Sequence, residues 1–210
     1  MPARDRANAL RQQMAYEAAR IIVEQELSDF ERARRKAAER TGILDRRNWP
    51  SNELIHEAVL AQRRLFSAQT HRDDLERMRR GALEAMRTFV RYSPRLVGNA
   101  LSGAGGIEQG VQILLFAERP EDVVLDLIDQ RIPWQDRERS FRYSGGDRRT
   151  HPVLGFLAGD LPVELVVLPT GALRNPPLDP VSERPDRGAD IEQVERLIED
   201  EPPRAAWASA

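Results

Sequence analysis

Residues 96–116 read LVGNALSGAGGIEQGVQILLF. Five glycines, at 98, 103, 105, 106 and 110, stand between two apolar runs. A glycine-rich turn lets backbone N–H groups approach a phosphate, but it also serves as a plain connection. The spacing excludes two phosphate loops. The Walker pattern needs Lys-Ser or Lys-Thr after its last glycine, whereas Ile107 and Glu108 follow Gly106. A dinucleotide fingerprint needs its glycines to open a helix. Here the run leads on to VQILLF, which reads as a buried strand over 111–116.

Upstream of this stretch the periodicity is helical. Met14, Ala18, Ile21 and Ile22 give a helix over 10–26. Ser28 and Asp29 are candidate caps for a helix over 30–40 that stops at Thr41-Gly42. A third helix is expected from 53 to about 68, with Leu54, Ala58, Ala61 and Leu65 inward. A fourth is expected from about 73 to 92, with Leu75, Met78, Ala82, Met86, Phe89 and Val90 inward, ended by Pro94. Downstream, Pro120 opens a helix over 120–130 with acids in its first turn. Strands are expected over 141–143 and 152–157, around the turn SGGD, and over 163–169. Residues 170–189 are proline-rich and irregular, 191–199 form a short helix, and the tail is expected to be disordered. The fold class is therefore α+β. A helical N-terminal region (1–93) packs on a small mixed-sheet α/β unit (94–170), followed by the proline-rich segment, short helix and tail (171–210).

Hydrophobic residues make up 40% of the chain and charged residues 31%, so a core is available beneath a well-solvated surface. Net charge is −2, but Arg and Lys outnumber Asp and Glu by 20 to 14 through residue 95 and are outnumbered 12 to 20 after it. The absence of cysteine excludes disulfides, thiolate catalysis and Cys-ligated metals. The N-terminus MPARDRANALRQQ has no apolar segment of the kind a secretory signal needs, and no apolar run is long enough to span a bilayer. A cytoplasmic location and no membrane partner are the expectation.

Residues 96–116 with Glu164 resemble the nucleotidyltransferase fold of the DNA polymerase β type, as in minimal and antibiotic nucleotidyltransferases. In that family a helix leads to a short strand ending in Gly-Ser, with a second glycine five residues on. A strand with Asp-x-Asp follows, and a later strand brings a third acid. The three acids hold Mg²⁺ ions. Gly98 matches the first glycine, with Asn99 in place of serine, Gly103 matches the second, and Glu164 matches the third acid. The Asp-x-Asp positions, twelve and fourteen residues after Gly98, are Gly110 and Gln112. The resemblance thus implies the fold and a cleft for nucleotide (Gly98, Asn99, Gly103, Gln112), without ordinary two-metal transfer. No resident metal or cofactor is expected; Mg²⁺ enters only in an active enzyme with a displaced site built on Glu108 and Glu164. A nucleotide, a nucleic acid or a protein is the implied partner.

Residues 19–43 resemble the opening of a helix-turn-helix domain of the TetR type. Arg34, Arg35, Lys36, Arg46 and Arg47 are its candidate phosphate contacts. The acidic start of the next helix, at Glu53 and Glu57, is poorly suited to a DNA groove. His56, His71 and His151 are scattered, the first two on helix faces expected to be exposed.

Overall fold

The computed structural model describes residues 3–200, apart from Ser28 and Ser67. The candidate cap Ser28 and the tail over 201–210 therefore lie outside the described residues. The helical front comprises α1 (Ala3–Gln25), α2 (Phe30–Thr41), α3 (Asn52–Phe66) and α4 (Ala68–Thr88). The α/β part follows as β1 (Arg95–Val97), α5 (Asn99–Ser102), β2 (Val111–Phe116), α6 (Pro120–Asp129), β3 (Gln135–Arg142), β4 (Arg148–Ala158), β5 (Leu161–Leu168) and α7 (Ile191–Glu199).

Local chemistry accounts for the boundaries of α2. The Asp29 carboxylate accepts from the Glu31 and Arg32 N–H groups. At the other end Gly42 adopts φ +72° and donates its N–H to Ala38 O, the glycine-terminated stop expected from Thr41-Gly42. Ala18 and Ala19 of α1 and Ala33, Ala37 and Ala38 of α2 are all buried in one cluster, small side chains that suit close helix packing. The third helix departs from expectation. Its buried positions are Ile55, Val59, Gln62 and Arg63, while Leu65 is 75% exposed and Ala61 is exposed. Two polar residues on the buried face hid it from a hydrophobicity pattern, and Leu65 misled. Nor is there a long break before the fourth helix, which starts at Ala68 rather than near 73 and ends at Thr88. A single 3₁₀ turn at Val90–Tyr92 continues it, and Val90 is exposed, not inward.

The five strands form one mixed sheet in the order β1-β2-β5-β4-β3. The β2–β5 pair is parallel and the rest are antiparallel. The connection from β2 to β5 contains α6 and the β3–β4 hairpin. That hairpin is much longer than the two short strands expected around SGGD; β3 is charged and exposed, so no apolar alternation marks it in the sequence.

Each sheet face has its own apolar cluster. On one, Ile113, Leu115, Leu165 and Val167 pack with Met78, Ala82, Met86 and Phe89 of α4, Val123 and Leu127 of α6 and Val194 of α7. On the other, Val97, Leu114, Phe116, Val153, Val166 and Leu168 meet Ala172. A third cluster joins α1, α2 and α3 and includes Ala104 from the glycine-rich loop. The last of the four front helices is thus part of the sheet's core.

Candidate functional site

The glycine-rich stretch is not a free connection. Gly98 ends β1 with φ +71°, and α5 follows it. Ala104, Gly105 and Gly106 are buried. A 3₁₀ turn at Ile107–Gln109, not a strand, comes directly after Gly106. Asn99 Nδ2 donates to Gln109 Oε1 at 3.0 Å, and Gln109 Nε2 donates to Leu27 O at 3.1 Å. The loop is thereby stapled to the end of α1, and the Asn99 amide is engaged inside the protein.

Gln112 on β2 stands in register with Glu164 on β5. Both are half-buried. Gln112 Nε2 approaches Glu164 Oε2 at 3.4 Å. Arg139 of β3 crosses to them, and its Nη2 donates to both Glu164 oxygens at 2.8 Å. Gly155, the β4 residue opposite Glu164, carries no side chain to stand between them. Glu164 is therefore not a solvent-facing carboxylate at a strand edge; β5 is the middle strand, and its glutamate is ion-paired.

These residues line a cleft of about 790 Å³. Gly98, Asn99, Glu108, Gln112 and Glu164 all border it, as the resemblance implies. Gly103 does not; it lies on the other side of the loop. No sequence signal pointed to Arg139, to Asp179 and Asp186 from the proline-rich segment, or to Glu26 from the helical front, and His56 was expected on an exposed face. All five border the cleft. Asp179 accepts from Ser182 N, and Asp186 accepts from Gly188 N. Burial pushes the Asp186 carboxyl above the usual range, and the neighbouring Asp179 charge adds to this. His56 is half-buried rather than exposed; burial lowers its pKa against the opposing charges of Asp179 and Glu57. Five carboxylates thus face one guanidinium and one neutral-leaning imidazole.

The cleft does not fit a two-metal centre. Gln112 offers a neutral amide, and Arg139 already occupies Glu164. Gly110 has φ +65°, and a Cβ on it would overlap the Pro162 carbonyl and stand 2.8 Å from Pro162 Cβ. An aspartate has no room there. Among the described residues no group of three or more His, Asp and Glu side chains is placed to hold a metal ion. Glu108 is exposed on the 3₁₀ turn and borders the cleft, but it completes no such group.

The candidate nucleic-acid contacts are largely engaged within the chain. Arg34 donates to Pro50 O and pairs with Glu31, Lys36 bonds Gln25, Arg47 pairs with Asp45, and Arg46 lies over the Trp49 ring. Arg35 is exposed and has no polar partner among the described residues. His71 is half-buried, contrary to expectation, and bonds Gly103 O at 2.8 Å. His151 is buried against the Tyr143 hydroxyl at 2.7 Å.

No family model, curated protein or solved structure matches this chain. Among the described residues no helix is long and apolar enough to cross a membrane.

Proposed function

We propose that this is a nucleotidyltransferase-fold protein that keeps the ligand cleft and acts by binding, without two-metal nucleotidyl transfer. The observation that carries this reading is the Gln112–Glu164–Arg139 cluster, in which an amide and an ion-paired carboxylate stand where the metal-binding acids of the family would be. Strand register and Gly98 at the end of β1 support the fold assignment, since Gly98, Asn99, Gln112 and Glu164 border one cleft, though Gly103 does not.

Among nucleotide, nucleic acid and protein, the charge of the cleft favours a protein segment that presents amide or cationic groups. Glu26, Glu108, Asp179 and Asp186 outnumber the Arg139 guanidinium, which Glu164 already pairs, and repel a polyphosphate or a nucleic-acid backbone that brings no bridging cations.

The test is incubation with labelled nucleoside triphosphates and Mg²⁺ or Mn²⁺, beside a titration with spermidine and metal-free ATP followed at the Gln112 side-chain amide. The expected result is no transfer, with the cationic probe moving the amide and ATP leaving it in place. Robust transfer that Glu164→Gln abolishes would overturn the proposal in favour of an active enzyme.

A further inference from the structure

At the opposite end of β2 from the acidic cleft lies a second cleft, of about 520 Å³, where Arg95, Arg174, Arg187 and Asp190 surround Phe116 and Pro176. The two clefts share no lining residue. Phe116 is the last residue of β2, and a 3₁₀ turn at Thr170–Leu173 follows β5, so this cleft stands at the carboxyl ends of the parallel strand pair. Open α/β sheets place their ligands outside that end. The backbone brings the three arginines there. Leu96 and Ala189 exchange N–H···O bonds at 2.8 Å, which lays the end of the proline-rich segment along the edge strand β1. Gly188 has φ +59°, and a Cβ on it would stand 2.6 Å from Leu96 O and 2.9 Å from Arg95 Cβ, so its neighbour Arg187 joins Arg95 at the cleft. Arg174 comes from the turn after β5, with its N–H bonded to Gly171 O.

Among the described residues that line this cleft Asp190 is the only acid, and both of its oxygens are engaged. Oδ2 accepts from Arg95 Nη1 at 2.9 Å, and Oδ1 accepts from Gln193 N at 2.9 Å. The ion pair orients Arg95. It leaves the exposed Arg174 and Arg187 guanidiniums, which make no hydrogen bond or ion pair among the described residues. From residue 96 onward the chain carries 12 basic side chains against 20 acidic ones, so two unmatched arginines at one cleft run against the local composition. Guanidinium forks match phosphate oxygens two at a time, and an anion between them offsets the mutual repulsion of the cations. Leu173, 42% exposed, also borders the cleft and offers an apolar surface. The volume falls in the range of small-molecule sites. We propose that this cleft is a site for a small phosphorylated ligand, with Arg174 and Arg187 gripping the phosphate, Arg95 as a third donor and Leu173 against the organic part. The proposal does not rest on the acidic cleft and stands or falls without it.

The test is titration of the full chain at low salt with inorganic phosphate, pyrophosphate and AMP, followed by calorimetry and by the arginine Nε–Hε resonances in ¹H–¹⁵N spectra. The expected result is saturable binding that moves the Arg174 and Arg187 resonances, assigned by their loss in the single alanine variants, and leaves the Gln112 side-chain amide in place. Arg174→Ala with Arg187→Ala weakens binding by at least about tenfold. The double lysine variant, which keeps the charges without the planar fork, retains part of it and guards against a folding defect. Arg32→Ala with Arg72→Ala removes the same charge from exposed positions elsewhere and leaves the affinity within about twofold. AMP binding more tightly than phosphate assigns the site to an organic phosphate; equal affinities assign it to the free ion, and both support a phosphate site. Any of three results overturns it: no saturable binding of millimolar pyrophosphate, binding unchanged in the Arg174/Arg187 double alanine variant, or an equal loss in the Arg32/Arg72 variant. A shift of the Gln112 amide in place of the two arginine resonances would put the anion in the other cleft and overturn it as well.

Discussion

Gln112 and Glu164 stand opposite each other on the only parallel strand pair of the described sheet, and the glutamate is shared between the Gln112 amide at 3.4 Å and the Arg139 guanidinium at 2.8 Å. The Arg139 side chain is 42% exposed and that of Glu164 is 31% exposed, so solvent screens their attraction. A double-mutant cycle with Arg139→Ala and Glu164→Gln should give a coupling of about 0.5–1 kcal/mol in urea unfolding. A coupling well above that range would mean the cluster is a structural keystone rather than a binding surface.

Gly110 should tolerate no side chain. Gly110→Ala meets both a positive φ and the Pro162 backbone, and should lose at least about 2 kcal/mol of stability by chemical denaturation. Gln112→Asp, on a half-buried position with open space in front of it, should fold and still show no Mg²⁺-dependent thermal shift, because Gly110 contributes no ligand.

The two faces of α3 can be told apart by truncation. Ile55→Ala removes a fully buried side chain and should cost about 2–4 kcal/mol, whereas Leu65→Ala, 75% exposed, should change stability by less than about 0.5 kcal/mol. Equal losses would contradict the observed packing.

Acidification should weaken the fold through its histidines. Burial lowers the pKa of His151, with Arg149 acting in the same direction, and burial lowers His56 and His71 as well. A depressed value in the folded chain means that the unfolded chain binds more protons. The stabilisation is therefore fully present above the unfolded value of about 6.5 and declines as pH falls below it. His151→Gln keeps an acceptor for the Tyr143 hydroxyl but does not titrate. The loss of stability between pH 7 and pH 5.5 should be smaller in this variant than in the parent, as followed by thermal melting.

Legibility in the sequence followed the kind of signal each element carried. β2 announces itself through its apolar run and α6 through Pro120 and the acids of its first turn, and these two and α7 formed where expected. α3 also formed close to where expected, but its buried face was not legible, since it includes Gln62 and Arg63, and Gln62 is held by a partner elsewhere in the chain, the Tyr16 carbonyl to which it donates. Gly98, Asn99, Glu108, Gln112 and Glu164 came to one cleft because β-strand register fixes which residues are neighbours. Arg139 had no such signal. Its strand is a run of charges, and only the hairpin's pairing with β5 carries it to Glu164. Asp179 and Asp186 belong to a proline-rich stretch whose course no periodicity encodes.

The core that joins α4 to α7 also bears on the order of synthesis. When residue 170 leaves a ribosome, every strand of the sheet has been made, yet Val194, which helps to close the helix-covered face, has not. The Arg87–Glu195 ion pair links partners 108 positions apart across the same seam. Contacts at such separation form late. The nascent chain therefore carries an incompletely covered apolar sheet until α7 arrives, a window in which a holdase has something to hold.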